Sequence, residues 1–285
     1  SDIFSLKTSN SIESGHKVTN LIFYNEINLN NNLASYEYEH NPNLNDEVFQ
    51  SNAILSSDVF FNFNNNITPR VKFIQNINLL SDSIINEDSK AITFNYHNQY
   101  SDNRLYGIDL EDNSSRIVYG LENKFKIYEK NIHFNLNQSY DFSKRNNYTK
   151  KINQISNFSD IALEAKTNFD KVFFKIDSRL SNRELEKKEI NYFFQYSDIV
   201  DLQINYNETD ARAFENVSTD TQSLGASIGK KINDNILLSI SSDLDLKNNY
   251  SPLTQEIKIS LFDECSRLDI SYIDERFNDN YNTQP

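Results

Sequence analysis

Hydrophobic and polar positions alternate with a period of two along nearly the whole chain. In residues 132–142, Ile132, Phe134, Leu136, Tyr140 and Phe142 share one parity with Gln138, while His133, Asn135, Asn137, Ser139 and Asp141 hold the other. Successive strand side chains point to opposite faces, so this run has one oily and one wet face. The same split sets Val172, Phe174 and Ile176 against Lys175, Asp177 and Arg179, and Val200, Leu202, Ile204 and Tyr206 against Asp201, Gln203, Asn205 and Asn207. It recurs in Ile236, Leu238, Ile240, Leu244 and Leu246 against Ser239, Ser241, Asp243 and Asp245, and in Ile257, Ile259 and Leu261 against Lys258 and Ser260. The first fifty residues are less regular but still alternate, as in Leu21 and Phe23, then Ile27 and Leu29. Runs of about 8–12 residues, divided by polar turns such as Asn146-Asn147 and Asn248-Asn249, predict roughly 14–17 strands. The best helix candidate, 184–189, is too short to hold alone and reads instead as a charged hairpin loop. No linker or shift in composition divides the chain, so residues 1–285 read as part of one domain.

Two all-β architectures accommodate this pattern. In a soluble sandwich or solenoid the apolar parity faces a protein core. In a membrane barrel it faces lipid, and the polar parity lines a wet lumen. With only 5 Gly and 4 Pro, the 285-residue chain is poor in tight-turn residues. That scarcity and the long strands favour a large antiparallel transmembrane β-barrel. A mean hydropathy of −0.65 and the lack of a long apolar run exclude a membrane-spanning helix, but not strands that are half polar. The net charge of −13 argues against nucleic acid as a partner, because a duplex binder needs a basic footprint. Met is absent, so Ser1 is not a translation start, and the chain reads as a mature piece or an internal fragment. Asn runs at 30–32 and 64–66 sit among ordered alternating segments, which favours genome bias over prion-like assembly.

Candidate chemistry is sparse. His16, His40, His97 and His133 are scattered, without metal-ligand spacing. Gly225 to Gly229 lies in an alternating strand and lacks the pattern of a phosphate-binding loop. Asp109, Glu111, Asp112 and Asn113 offer hard oxygens but not the spacing of a calcium loop, so they read as a solvated loop. No enzymatic role and no cofactor are expected. Cys265 has the parity of Asp269 and Ser271, the wet face; it is either an inert thiol or the partner of a cysteine outside this chain.

Residues 86–121 carry an ordered series of motifs: Asn86-Glu87-Asp88-Ser89, Asn98 through Ser101, Arg104, Gly107, Asp109, Arg116 and Tyr119-Gly120-Leu121. Thr68-Pro69-Arg70 precedes them; Gln138-Ser139-Tyr140, Asp263-Glu264-Cys265 and Arg276-Phe277 follow. Together they resemble LptD, the lipopolysaccharide-assembly family also called organic solvent tolerance protein, particularly its alphaproteobacterial forms. The series spans about 68–277, and residues 1–50 match only in character.

The resemblance implies a barrel in the cell outer membrane, surrounded by outer-membrane lipids, that inserts lipopolysaccharide into the outer leaflet. It implies a periplasmic lipopolysaccharide-bridge protein as supplier and an LptE-like plug lipoprotein in the lumen. It also implies that the barrel is incomplete at one or both ends, since family members carry a periplasmic jelly-roll domain before the barrel and closing strands after it. Some relatives have adjacent cysteines where Cys265 is followed by Ser266, which leaves at most one interdomain disulfide here. In the 104–120 motif, arginine offers fixed bidentate donors to carboxylates and glycine permits close approach, so these residues are expected to pin a loop and a strand inside the lumen. Unpaired strand edges would leave such a piece unstable or aggregating alone. The alternatives are a surface structural or adhesive β protein and a general diffusion porin.

Overall fold

The computed structural model describes residues 2–37, 46–62, 66–81, 90–91, 94–106, 112–127, 130–142, 147–213, 219–248, 250–263 and 266–275. The strands in the first half are β1 (Asp2–Val18), β2 (Leu21–Glu37), β3 (Asp46–Phe61), β4 (Ile67–Ser81), β5 (Lys90–Ala91), β6 (Leu105–Tyr106), β7 (Ser115–Ile127) and β8 (Lys130–Asp141). The others are β9 (Ile161–Phe169), β10 (Val172–Leu180), β11 (Lys187–Ser197), β12 (Asp201–Thr209), β13 (Thr221–Asn233), β14 (Ile236–Asp245), β15 (Ser251–Phe262) and β16 (Arg267–Glu275). Two short helices, α1 (Tyr96–Gln99) and α2 (Asn147–Lys151), complete the set.

Fourteen strands form one sheet in the order β1-β2-β3-β4-β7-β8-β9-β10-β11-β12-β13-β14-β15-β16, while β5 and β6 pair separately. Neighbouring strands run antiparallel, as β1 with β2, β4 with β7 and β15 with β16. No ladder among the described residues joins β1 to β16, so the sheet is open, as an incomplete barrel would be. The 184–189 segment is no helix: residues 181–186 form the loop that leads into β11 at Lys187. No helix of the described residues is long and apolar enough to cross a membrane.

Tight turns such as Thr19-Asn20, Asp170-Lys171 and Asp234-Asn235 alternate with longer connections at the other strand ends. Thr19 and Asp170 take positive φ, 50° and 46°. Two-residue hairpin turns need that conformation, and polar residues fill it here where glycine would be commoner.

The chain falls into two compact units. The second comprises 125–134, 164–180 and 186–285. Its registers align the alternation into rows. Val172, Tyr196, Leu202, Ile228, Ile240, Ile257 and Tyr272 lie side by side across β10 to β16. The row beside it, on the opposite face, reads Phe173, Gln195, Gln203, Ser227, Ser241, Glu256 and Ile273. The apolar row is uncovered: Ile228 and Ile240 are 48% exposed, Ile257 50% and Tyr272 71%. A sandwich would bury this face under a second layer of protein; no such layer covers it among the described residues. On the polar face, Arg179 is buried and donates from Nη1 to the Ala213 carbonyl at 2.8 Å, under the 3₁₀ turn at Ala211–Ala213.

The first unit comprises 1–124, 135–163 and 181–185. Its apolar parity is likewise exposed, at Ile27, Leu29, Phe73, Ile77 and Leu79. Its other parity departs from the simple oily-and-wet reading. Ile54, Ile74 and Val118 stand among the polar residues of that face, and they are buried with Tyr96 and Tyr100 in one small core. The cause is the part of the β4–β7 connection at residues 94–106, which folds back onto this face and covers it.

Candidate functional site

The polar face of β3, β4, β7 and β8 binds this folded-back segment through side chains. Asn95 caps α1, its side chain accepting from the Asn98 amide, and this single turn delivers Tyr96, Gln99 and Tyr100 to the sheet. Asn137 of β8 donates to the Tyr96 carbonyl at 2.6 Å. Tyr96 donates to Glu122 of β7 at 2.9 Å, and Ser139 of β8 donates to the Gln99 side chain at 3.3 Å. Lys72 of β4 donates to the Tyr100 carbonyl at 3.0 Å and pairs with Asp102 at 2.7 Å.

Arg70 of β4 pairs in bidentate fashion with Asp58 of β3, 2.6 Å from Nη2 to Oδ2. Its guanidinium stacks 3.8 Å from the Tyr100 ring centre and 4.7 Å from that of Phe60. The planar cation thus fixes an aromatic pair and a carboxylate together, which a lysine could not do. Pro69 lies one residue beyond the β3–β4 ladder, which ends at Phe60 and Arg70, so its missing N–H costs that ladder nothing.

A second cluster lies deeper. Arg104 donates to Asp112 at 2.6 Å, to the Ser114 hydroxyl at 3.0 Å and to Asp141 of β8 at 3.2 Å. Arg116 of β7 reaches the same Asp112 at 3.1 Å and also donates to the Ser101 carbonyl. All four charged side chains are buried. Tyr148, presented by α2, stacks on Arg104 at 4.0 Å and accepts from Gln99 at 3.2 Å. Two arginines facing two aspartates balance charge in a place that excludes water, where an unpaired ion would be costly. Burial alone would raise the Asp112 carboxyl; Arg104, then Arg116, overcome it and hold the group down at about 2. Burial pushes the Tyr96 and Tyr100 hydroxyls up, so both remain protonated, and Tyr96 donates to Glu122.

Gly120 of β7 lies beneath Tyr100. A Cβ there would run into the Tyr100 hydroxyl and stand 2.5 Å from the Leu136 carbonyl oxygen. Its neighbour Tyr119 points to the other face and donates to Gln138.

Of the residues singled out in the sequence, Arg70, Arg104, Arg116 and Gly120 therefore converge on the folded-back segment. Pro69 stands beside Arg70, and Tyr119 faces away. Asn86, Glu87, Asp88, Ser89, Gly107, Asp109 and Cys265 lie outside the described residues. Asp112 was expected in a solvated loop; it is 1% exposed instead, because two arginines neutralise it. Sequence reading missed Asp58, Lys72, Asp102, Asp141 and Tyr148. Asp58 and Lys72 are directly paired across β3 and β4 on the polar parity, a signal visible only once the register is known.

No curated protein matches the chain. A protein-family model described as "LptD: LPS transport system D" matches residues 25–236, well over half of the sequence and including both charge clusters. The chain therefore belongs to the LptD family, whose role is in lipopolysaccharide transport.

Proposed function

We propose that this chain is part of an outer-membrane barrel wall along which lipopolysaccharide is delivered to the outer leaflet. The work is transport, without covalent chemistry. Lipopolysaccharide joins acyl chains, which need hydrocarbon, to a charged glycan, which needs water. The observation that carries this reading is the unbroken apolar row from Val172 to Tyr272, exposed at Ile228, Ile240, Ile257 and Tyr272 and backed on the other face by a row that is polar from Gln195 to Glu256. Hydrocarbon covers such a row; water leaves it aggregation-prone. Strands β7 to β16 are 9–13 residues long, which suits a tilted crossing of about 9–11 residues.

In this reading residues 94–106 and 112–114 narrow the lumen, and Arg70, Arg104, Arg116 and Gly120 are their pins rather than substrate contacts. A periplasmic bridge protein supplies the lipid, and an LptE-like lipoprotein occupies lumen left open by the segment. The test is photocross-linking in cells. A photoreactive residue at Asn205, on the polar face of β12, is expected to capture lipopolysaccharide; at Ile204, on the apolar face, it is expected to capture phospholipid. Capture of no lipopolysaccharide at Asn205 or at its polar-face neighbours Gln203 and Ser227 would refute the transport reading and leave a diffusion porin.

A further inference from the structure

The polar face of the first unit is not covered everywhere. Below Arg70, toward the tight-turn ends of β2, β3, β4 and β7, it opens into a cavity of about 380 Å³. Tyr24, Phe60, Thr68, Glu122 and Lys124 line it, with Ile22 and Asn62 closing its edges. We propose that this cavity is a subsite for a phosphorylated sugar of the transported glycolipid, an inference that rests on the transport reading above.

Three features select that chemistry. The first is an aromatic corner. Tyr24 and Phe60 meet edge to face at 5.9 Å, and Tyr24 is 54% exposed although it faces the interior of the site. A pyranose ring presents C–H groups on one face, which pack against such rings as other apolar groups do. The second is the ring of hydrogen-bonding groups around the corner: Thr68, Asn62 and the Glu122 carboxylate match the hydroxyls on a sugar's edge. An acyl chain in the same place would strip water from these groups and return no hydrogen bonds. The third is Lys124, whose ammonium makes no ion pair among the described residues, within a chain of net charge −13. A cation left unneutralised beside a polar cavity is suited to a phosphate.

The volume lies within the range of about 300–1,000 Å³ typical of small-ligand sites. Two cavity residues also touch the groups that hold the folded-back segment. Glu122 accepts from Tyr96, and Arg70 lies over Phe60. A sugar in the cavity would thus rest directly below the residues that hold the segment in place.

The experiment is calorimetric titration of the full-length protein in detergent. The probes are deacylated phosphorylated core oligosaccharide, the same oligosaccharide after phosphatase treatment, and inorganic phosphate. Tyr24→Ala is expected to weaken both oligosaccharides by about three- to tenfold. Lys124→Gln is expected to weaken the phosphorylated form alone, by about two- to fivefold at low ionic strength. Arg212→Met, in the exposed turn at Ala211–Ala213 and outside both the cavity lining and the polar row, is expected to change neither. No binding by the unaltered protein, or binding unchanged in both cavity variants, would overturn the proposal. So would inorganic phosphate binding as tightly as the oligosaccharide. If Tyr24→Ala does not fold, Lys124→Gln, a surface change, decides alone. Oligosaccharide binding that depends on Lys124, without lipopolysaccharide capture at Asn205, would sink the transport reading and leave the sugar site. Capture at Asn205 with unaltered cavity variants would do the reverse.

Discussion

The Tyr100 hydroxyl occupies the volume that a side chain at position 120 would need. Gly120 is thus required by contact between a loop and a strand, not by a turn. Gly120→Ala is expected to destabilise the protein by about 1–3 kcal/mol, the usual cost of forcing a methyl group into filled space. The readout is the temperature at which the folded form is lost in heat-modifiable gel migration. Tyr100→Phe in the same chain should restore only part of the loss, because the Leu136 carbonyl still crowds the site.

Arg104 tests the buried cluster. Arg104→Met leaves Asp112 and Asp141 facing one remaining arginine without water, and is expected to cost about 3–5 kcal/mol. Arg212 makes a comparably short ion pair with Asp210, 2.7 Å, but its side chain is 62% exposed. Measured by the same heat-modifiable gel migration, Arg212→Met should leave the unfolding midpoint unchanged.

The depressed Asp112 carboxyl sets a pH window. Its folded value is about 2 against an ordinary 3.8, so the unfolded chain binds the extra proton between them. Its contribution to stability is complete above 3.8 and is lost as pH falls toward 2. Near-ultraviolet circular dichroism of the tyrosines packed around the cluster should hold steady from neutral pH to about 4 and then collapse. In Asp112→Asn the dependence in that window should flatten.

Much of this fold is written in the alternation. The strand pattern named Ile236, Leu238 and Ile240 as one face and Ser239, Ser241 and Asp243 as the other, and β14 carries both faces as read. Periodicity works there because each strand of the second unit meets the same two environments along its length. It fails where a third element intervenes. Asn135, Asn137, Ser139 and Asp141 have the wet parity, yet all are buried, since the segments carrying α1 and α2 lie over them. Tyr148 and Ile152, next to what read as a polar turn, are fully buried for the same reason. A period of two reports which face a residue takes, not what covers that face. The family motif marked Arg104 and Arg116, but Asp141, which pairs with Arg104, lies 37 residues from it and no local pattern links them.

A matched pair of substitutions separates the two faces energetically. Ile240→Arg places a charge in the exposed apolar row, and a charge near the bilayer midplane is expected to cost about 2–4 kcal/mol. Ser241→Arg, one residue on, faces the polar side and should be tolerated. Unfolding in lipid bilayers by denaturant titration gives both values.

The central claim is that the apolar row meets hydrocarbon while its neighbours meet water. Spin labels report this directly when placed on single cysteines in a Cys265→Ser background, in reconstituted bilayers. Labels at Ile228, Ile240, Ile257 and Tyr272 are expected to collide with dissolved oxygen and to be shielded from a water-soluble nickel complex. Labels at Ser227, Ser241, Glu256 and Ser271 are expected to show the opposite. Apolar-row labels shielded from both reagents, as under a second layer of protein, would contradict the account.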